Sequence, residues 1–325
     1  MTVLCLVEQD ADGTADASLR ALSFAAGLAA GAPVAAVLFG TAGQVPRGLL
    51  AGHGAVRAHV VEPGDIDGYA PQAWARALAG LAAQEGAAAV VAAATDRGAE
   101  VMAYLGAITG QPMAANCVTA GPAGDGSYDI VRHRWAGLLL EDARLDGSPA
   151  LLTVATEAVP AVTVPAPPAL DVQPYQPVLA EGDLRVRATE GAGHTSGASL
   201  ATARVVVGGG RGVGGPDGFA PLEELAGLLG GVVGVSRVVT SEGWRPHRQQ
   251  VGQTGTKITP ELYLACGISG AIQHMAGCAG ARHIVAVNTD PGAPILAHAD
   301  CAVIGDLGEV IPALVAALRA RSGPA

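Results

Sequence analysis

Runs of 4–6 residues rich in valine alternate along this chain with Ala/Leu-rich stretches of ten or more, and that alternation limits the fold more than any other feature. A strand with no polar positions has to be covered on both faces. Helix-length segments between such strands allow parallel pairing with right-handed crossovers. An α/β protein is therefore predicted rather than a sandwich or a bundle. Strands are predicted at Val3–Val7, Val34–Phe39, Val56–Val61, Ala88–Ala92 and Leu151–Ala155. One helix is predicted to start at Asp16, a suitable N-cap, and to stop at Gly31 before Pro33. Another covers Gln72–Gln84. The stretch from Met113 to Ser148 is more polar and is expected to be less regular. Six prolines between Pro160 and Pro177 predict an extended segment, at a sheet edge or linking two parts of the chain.

A length of 325 residues is enough for two ordinary cores. The small, polar run GAGHTSGAS at Gly191–Ser199 is the best candidate for a hinge, which divides the chain into domains 1–195 and 196–325. Past it, strands are predicted at Arg204–Val207, Val232–Val235, Leu262–Ala265, Ile284–Val287 and Ala302–Ile304. Between the first two lies a helix with Pro221 in its first turn, Leu222, Leu225, Leu228 and Leu229 on one face, and Gly230 and Gly231 at its end. Leu307, Val310, Ile311, Leu314, Val315 and Leu318 mark a final amphipathic helix that contains Pro312. The expected fold class is α/β in two domains, each a mainly parallel sheet flanked by helices. The C-terminal one is expected to be doubly wound, with ligands at the carboxyl ends of its strands.

Composition narrows the partners. A net charge of −10, a pI near 5.2 and no basic stripe argue against nucleic acid. Five cysteines, Cys5, Cys117, Cys266, Cys278 and Cys301, are an odd number with no CxxC pair, which fits reduced thiols in a cytoplasmic protein. Cys266 and Cys278 are read as core thiols, and Trp244 as packing. No metal-ligand spacing of His and Cys occurs, so no metal is expected. No charge-free run of about 18 apolar residues exists to span a membrane. The start, MTVLCLVEQD, lacks the features of a signal peptide.

Chemistry concentrates in the last third. GGGRGVGG (Gly208–Gly215) follows a strand, where glycines let backbone N–H groups approach phosphates. Its spacing is not a clean GxGxxG with an acid about 20 residues on, so by itself it reads equally well as a plain Gly-rich turn. The segment Gly234–Gly277 is more informative: GVSR (Gly234–Arg237), VGQTG (Val251–Gly255) and PELYLACGISGAIQHMAG (Pro260–Gly277). Gln249, Gln250, Gln253 and Thr254 supply neutral hydrogen-bonding groups beside glycines in an otherwise apolar chain. Gly267–Gly270 is predicted to join a strand to a helix beginning near Ser269, putting free N–H groups at a helix start, with His274 one and a half turns along.

The ordered set SR…GW…QVGQTG…PELY…GISGAIQHMAG, followed by AVNTDPGAPI (Ala286–Ile295) and the Asp of VIGDLGEV, closely resembles the electron transfer flavoprotein alpha subunit from about Val205 to Leu314. The first 195 residues agree with that family in architecture. The resemblance implies an N-terminal domain without a flavin that packs against a beta subunit, and a C-terminal domain that binds FAD. It places Arg237, with Ser236 before it, beside the isoalloxazine ring, Thr254 at flavin N5 and His274 at the O2 edge. Gln250, Gln253 and Gly255 would shape the loop around Thr254. Gly267, Ser269, Gly270 and Gln273 would lie near the ring and pyrophosphate. Asn288, Asp306 and Leu307 would lie toward the ribose and adenosine, and Arg211 beside a phosphate or the adenosine. Asp306 reads alternatively as a cap of the final helix.

The implied activity is that of a redox carrier rather than a substrate-turnover enzyme. Electrons would pass through non-covalent FAD from a dehydrogenase, such as an acyl-CoA dehydrogenase, to a quinone oxidoreductase or other acceptor. The beta subunit would hold AMP or, in an electron-bifurcating complex, a second FAD. A flavinless nucleotide-binding regulatory module is the alternative from another class, and the presence of Arg237, Thr254 and His274 argues against it. Two local departures stand out: Thr289 where many relatives carry lysine, and RWAGLLLE at Arg134–Glu141 in place of an alanine–glycine–asparagine stretch.

Overall fold

The computed structural model describes residues 2–321 apart from 11–12, 63, 65, 67, 138, 166–168, 189–199 and 201–202. The chain divides into two compact units, Met1–Thr195 and Ser196–Ala325. The proposed hinge Gly191–Ser199 lies outside the described residues.

The first unit runs β1 (Thr2–Leu6), a small hairpin of β2 (Gln9–Asp10) and β3 (Gly13–Thr14), α1 (Asp16–Ala29), β4 (Val34–Phe39), α2 (Arg47–Gly52) and β5 (Arg57–Val61). It continues with α3 (Pro71–Glu85), β6 (Ala87–Ala93), α4 (Asp96–Thr109), β7 (Met113–Pro122), β8 (Tyr128–Arg134), β9 (Leu139–Leu145), β10 (Ala150–Val154) and β11 (Asp171–Tyr175). Nine strands form one sheet in the order β11-β5-β4-β1-β6-β10-β7-β8-β9, parallel except at its β7-β8-β9 end.

Every residue of β1 is buried. Its period-2 alternation feeds two cores, with Val3 and Cys5 on one face and Leu4 and Leu6 on the other. Helix α1 begins at Asp16, with Ala15 rather than Asp16 in the capping position. It ends in a left-handed Ala30 just before Gly31. Pro174 sits in β11, at the sheet edge where the missing N–H does least harm.

One expectation fails here. Met113–Ser148 is regular: β7, β8 and β9 form a long antiparallel meander. Its strands are half exposed and carry cross-strand ion pairs, Arg132 with Glu141 and Arg144 with Asp129, which make the segment look polar without making it irregular.

The second unit runs β12 (Val205–Gly209), α5 (Ala220–Leu228), β13 (Val232–Val235), α6 (Arg237–Ser241), β14 (Leu262–Cys266), α7 (Ile272–Cys278), β15 (His283–Asn288), β16 (Cys301–Ile304) and α8 (Leu307–Arg321). Its five strands are all parallel, in the order β13-β12-β14-β15-β16. Val206, Tyr263, Ala265 and Ala286 line one face. Val207, Leu264, Cys266 and Val287 line the other, beneath Leu222 and Leu225 of α5 and Ile311 and Val315 of α8. Cys266 and Cys278 are buried thiols in these cores, raised to about 12 by desolvation. No helix among the described residues is long and apolar enough to cross a membrane. No group of three or more His, Cys, Asp or Glu among them could hold a metal.

Candidate functional site

Strand order reverses at β12. The chain leaves it toward β13 and comes back on the other side as β14, so the loops after β12 and β14 diverge around a crevice at the carboxyl ends of the strands. In open α/β sheets this switch point is where ligands bind.

Glycine draws these loops together. Gly210 N donates to Cys266 O at 2.9 Å, and Gly212 N to Gly267 O at 3.1 Å. A Cβ on Gly210 would fall on the Gly267 carbonyl, so the backbones meet where no side chain fits. The loop Val251–Thr254 makes a third wall. Val251 N donates to Val235 O at 2.8 Å and Gln253 N to Gln273 O at 2.7 Å, tying the loop to β13 and α7.

The walls enclose a cavity of about 430 Å³, a size typical of cofactor and small-molecule sites. Arg211, Ser236, Arg237, Gln250, Gln253, Thr254, Gly267, Ser269, Gln273 and His274 all line it, together with Val238, Ser241, Val251, Gly252, Ile268 and Ala271. Residues as far apart in sequence as Arg211 and His274 meet here because parallel strands end side by side. Helix α7 starts at Ile272 instead of near Ser269. Gly270 takes φ +80° against the Ile295 backbone, and Ser269 O accepts from Ile295 N at 3.1 Å, so the chain turns before the helix can begin. His274 consequently lies in the first turn of α7, not one and a half turns in.

The remaining candidates lie elsewhere. Gly255 packs beneath the Gln250 backbone and Gly270 against Ile295. Asn288 braces the β14 loop, donating through Nδ2 to Ile268 O at 2.9 Å. Asp306 and Leu307 line a second cavity of about 250 Å³ with Gly212, Val213, Gly218 and Pro221. There Asp306 Oδ1 also accepts from Gly308 N at 2.6 Å, in the manner of a cap on α8.

The electrostatics of the larger cavity have one sign. No Asp or Glu lines it, and neither the Arg211 nor the Arg237 guanidinium has an ion-pair or hydrogen-bond partner among the described residues. Gln250 is buried; its Oε1 accepts from Thr240 Oγ1 at 2.7 Å and its Nε2 donates to Thr254 Oγ1 at 3.0 Å, which fixes where the Thr254 hydroxyl stands. His274 is buried, and its Nε2 lies 2.8 Å from the Tyr263 hydroxyl. Desolvation lowers its pKa to about 4, with the Val251 backbone partly opposing, so the ring is neutral at working pH. Its Nδ1 is buried without a hydrogen bond of normal geometry.

Sequence reasoning passed over Tyr263 and Thr240. Tyr263 stood inside PELY, and only the sheet brings it against His274. Thr240 carries no signal in the sequence, being one of three polar residues on a five-residue helix. The cavity thus gathers neutral hydrogen-bonding groups and two unpaired guanidinium groups, a setting for a polar ligand that bears or gains negative charge.

Comparison with known proteins shows the family. Residues 199–279 match the electron transfer flavoprotein FAD-binding domain, which includes every residue lining the larger cavity. Residues 3–178 match the electron transfer flavoprotein domain. The electron transfer flavoprotein subunit alpha of Mycobacterium tuberculosis is 38% identical over 324 residues, covering 99% of each chain. Protein FixB of Bradyrhizobium diazoefficiens is 35% identical over 299 residues, 90% of this chain and 80% of that one. In Bacillus subtilis, the subunit alpha is 51% identical over 118 residues, 36% of each chain, so likeness can be denser over part of the chain than over the whole. With both halves matched and the full length aligned, this chain belongs to the electron transfer flavoprotein alpha subunits, a family of redox carriers rather than substrate-turnover enzymes.

Proposed function

We propose that the larger cavity holds the ring system of a non-covalent FAD, with the cofactor's adenosine half toward the smaller cavity at Asp306 and Leu307. The observation that carries this reading is a carboxylate-free cavity lined by two arginines whose guanidinium groups have no partner among the described residues. Guanidinium groups in folded proteins usually find an anionic or polar partner, so two without one in a cavity wall fit an anionic ligand. The close approach of Gly210, Gly212 and Gly267 leaves bare backbone between the two cavities, which suits a pyrophosphate.

When bound, the flavin supplies the redox chemistry, taking and giving electrons; the protein binds, orients and electrostatically tunes it. Arg237 would hold a fixed positive charge beside the ring, and a guanidinium keeps that charge at any working pH. Thr254, held by Gln250, would present its hydroxyl to the ring edge. His274 would bond a ring carbonyl, and Arg211 would stand near the phosphates or adenosine. Ser236, Gln253, Ser269 and Gln273 would complete the wall, with Asn288 bracing the β14 loop.

The same proposal covers the partners. The chain would work in the cytoplasm as a 1:1 heterodimer with a beta subunit that carries AMP. It would take electrons from a dehydrogenase, such as an acyl-CoA dehydrogenase, and deliver them to a quinone oxidoreductase or another acceptor. Units 1–195 and 196–325 would be the beta-subunit-binding and FAD-binding domains.

Absorbance of the chain co-purified with its beta subunit tests this directly, and one FAD per heterodimer is expected. Arg237→Ala should keep its flavin and lower the first reduction potential by on the order of 60 mV, equivalent to a tenfold change for one electron. A heterodimer without flavin, or an unchanged potential in that variant, would remove the assignment.

A further inference from the structure

Tyr263 is completely buried on β14, with its hydroxyl 2.8 Å from His274 Nε2. Among the described residues that hydroxyl has no other hydrogen-bond partner. Gly208, on the neighbouring strand β12, makes the arrangement possible: a Cβ there would fall on the phenol oxygen and the adjoining ring carbons. The ring therefore extends along the sheet over a glycine to reach a histidine in the first turn of α7.

Burial raises the Tyr263 phenol well above its ordinary value, so the hydroxyl keeps its proton at working pH. That proton has one acceptor within reach, His274 Nε2. If Nε2 carried hydrogen instead, the phenolic hydrogen would be stranded in a dry core, a situation folded proteins avoid. A neutral imidazole carries hydrogen on one nitrogen only, and the partner of one nitrogen decides the state of the other. With Nε2 accepting, the hydrogen belongs on Nδ1.

We propose that Tyr263 is a positioning residue that locks His274 in the Nδ1–H tautomer, so that His274 offers the flavin cavity a hydrogen-bond donor. The tautomer follows from the contacts of Tyr263 alone. Its use toward a flavin carbonyl rests on the function proposed above. A neutral donor suits an oxygen that gains electron density when electrons arrive, because the bond strengthens without a proton having to move. Nothing in a motif-level view of PELY assigns this tyrosine such a part, since eleven residues separate it from His274.

The test is nitrogen NMR of the flavin-loaded heterodimer, labelled at the histidine ring nitrogens. The signals of His274 are assigned by their loss in His274→Gln. The parent should show hydrogen bonded to Nδ1 and an unprotonated Nε2. Tyr263→Phe removes only the hydroxyl and should shift the ratio of the two tautomers by about tenfold or more toward Nε2–H. Hydrogen on Nε2 in the parent would overturn the proposal, as would a Tyr263→Phe protein with the parent ratio. Should that variant not fold, the parent spectrum still decides. Stripping the flavin separates the two readings. A shift of the Nδ1 signal supports both, whereas an unmoved signal sinks the flavin placement and leaves the Tyr263-directed tautomer standing.

Discussion

Acid should weaken the second unit through His274, and the size of the effect can be worked from its surroundings. The ring is 7% exposed, and desolvation takes its pKa from 6.5 in the unfolded chain to about 4 in the folded one. Above pH 6.5 both states are neutral and the residue has no influence on the pH dependence. Between 6.5 and 4 the unfolded chain binds a proton that the folded chain refuses, so stability falls as pH falls. One pKa unit corresponds to about 1.36 kcal/mol. At pH 5 the loss is then about 2 kcal/mol, levelling off near about 3 kcal/mol below pH 4. Glu8, raised by burial, works in the opposite direction, and His59, lowered by burial, in the same one, but both belong to the first unit. Comparison with His274→Gln cancels them. The assay is urea unfolding of both proteins at pH 8 and pH 5, followed at Trp244, the tryptophan of the second unit. Parent and variant should differ in acid sensitivity by about 2 kcal/mol. Equal acid slopes, or a His274 that titrates near 6.5 by NMR, would refute the reasoning.

Other consequences are open to simpler measurements. Gly277→Ala puts a Cβ on the Gly252 backbone and should cost about 1–3 kcal/mol with loss of bound flavin. Gly227→Ala, which meets open space on α5, should leave both stability and flavin content at the parent level or slightly above. Thr240→Val strips buried Gln250 of the hydroxyl at its Oε1 and should cost about 1–3 kcal/mol in urea unfolding; a stability equal to the parent's would mean Thr240 does not hold it. Leu225→Ala, in the core beneath α5, should cost about 2–5 kcal/mol and leave the absorbance of any flavin retained unchanged.

Much of this molecule was legible one residue at a time. Uninterrupted apolar runs such as Val3–Leu6 and Val34–Leu38 could only be strands covered on both sides, and the parallel sheets follow from them. The motifs from Gly234 to Gly277 named most of the cavity wall, because the backbone geometry there tolerates only certain residues: glycine where loops touch, and short polar side chains where a ligand must be met. Helix α4 was legible as a helical stretch after the Ala88–Ala92 strand, and its ends carry their own signals, with Thr95 Oγ1 accepting from Gly98 N at one end and a left-handed Gly110 at the other. The meander β7–β9 was hidden, since strands open on one side have a polar face and resemble loop in composition.

Tertiary structure alone decided three things. Helix α7 starts late because Gly270 meets Ile295, a residue 25 positions further on that no local pattern around Gly270 contains. Asp306 and Leu307 fall in a cavity separate from His274, because backbone contact between Gly212 and Gly267 closes the chain between them. His274 is neutral, and faces Tyr263 through one nitrogen while the other makes no hydrogen bond of normal geometry, because Gly208, far away in sequence, leaves room beside the strand for the phenol to reach the helix. Local chemistry sets which residues a strand or turn will accept. Burial and the identity of a hydrogen-bond partner depend on what the rest of the chain brings alongside, and those two quantities determine what a histidine does.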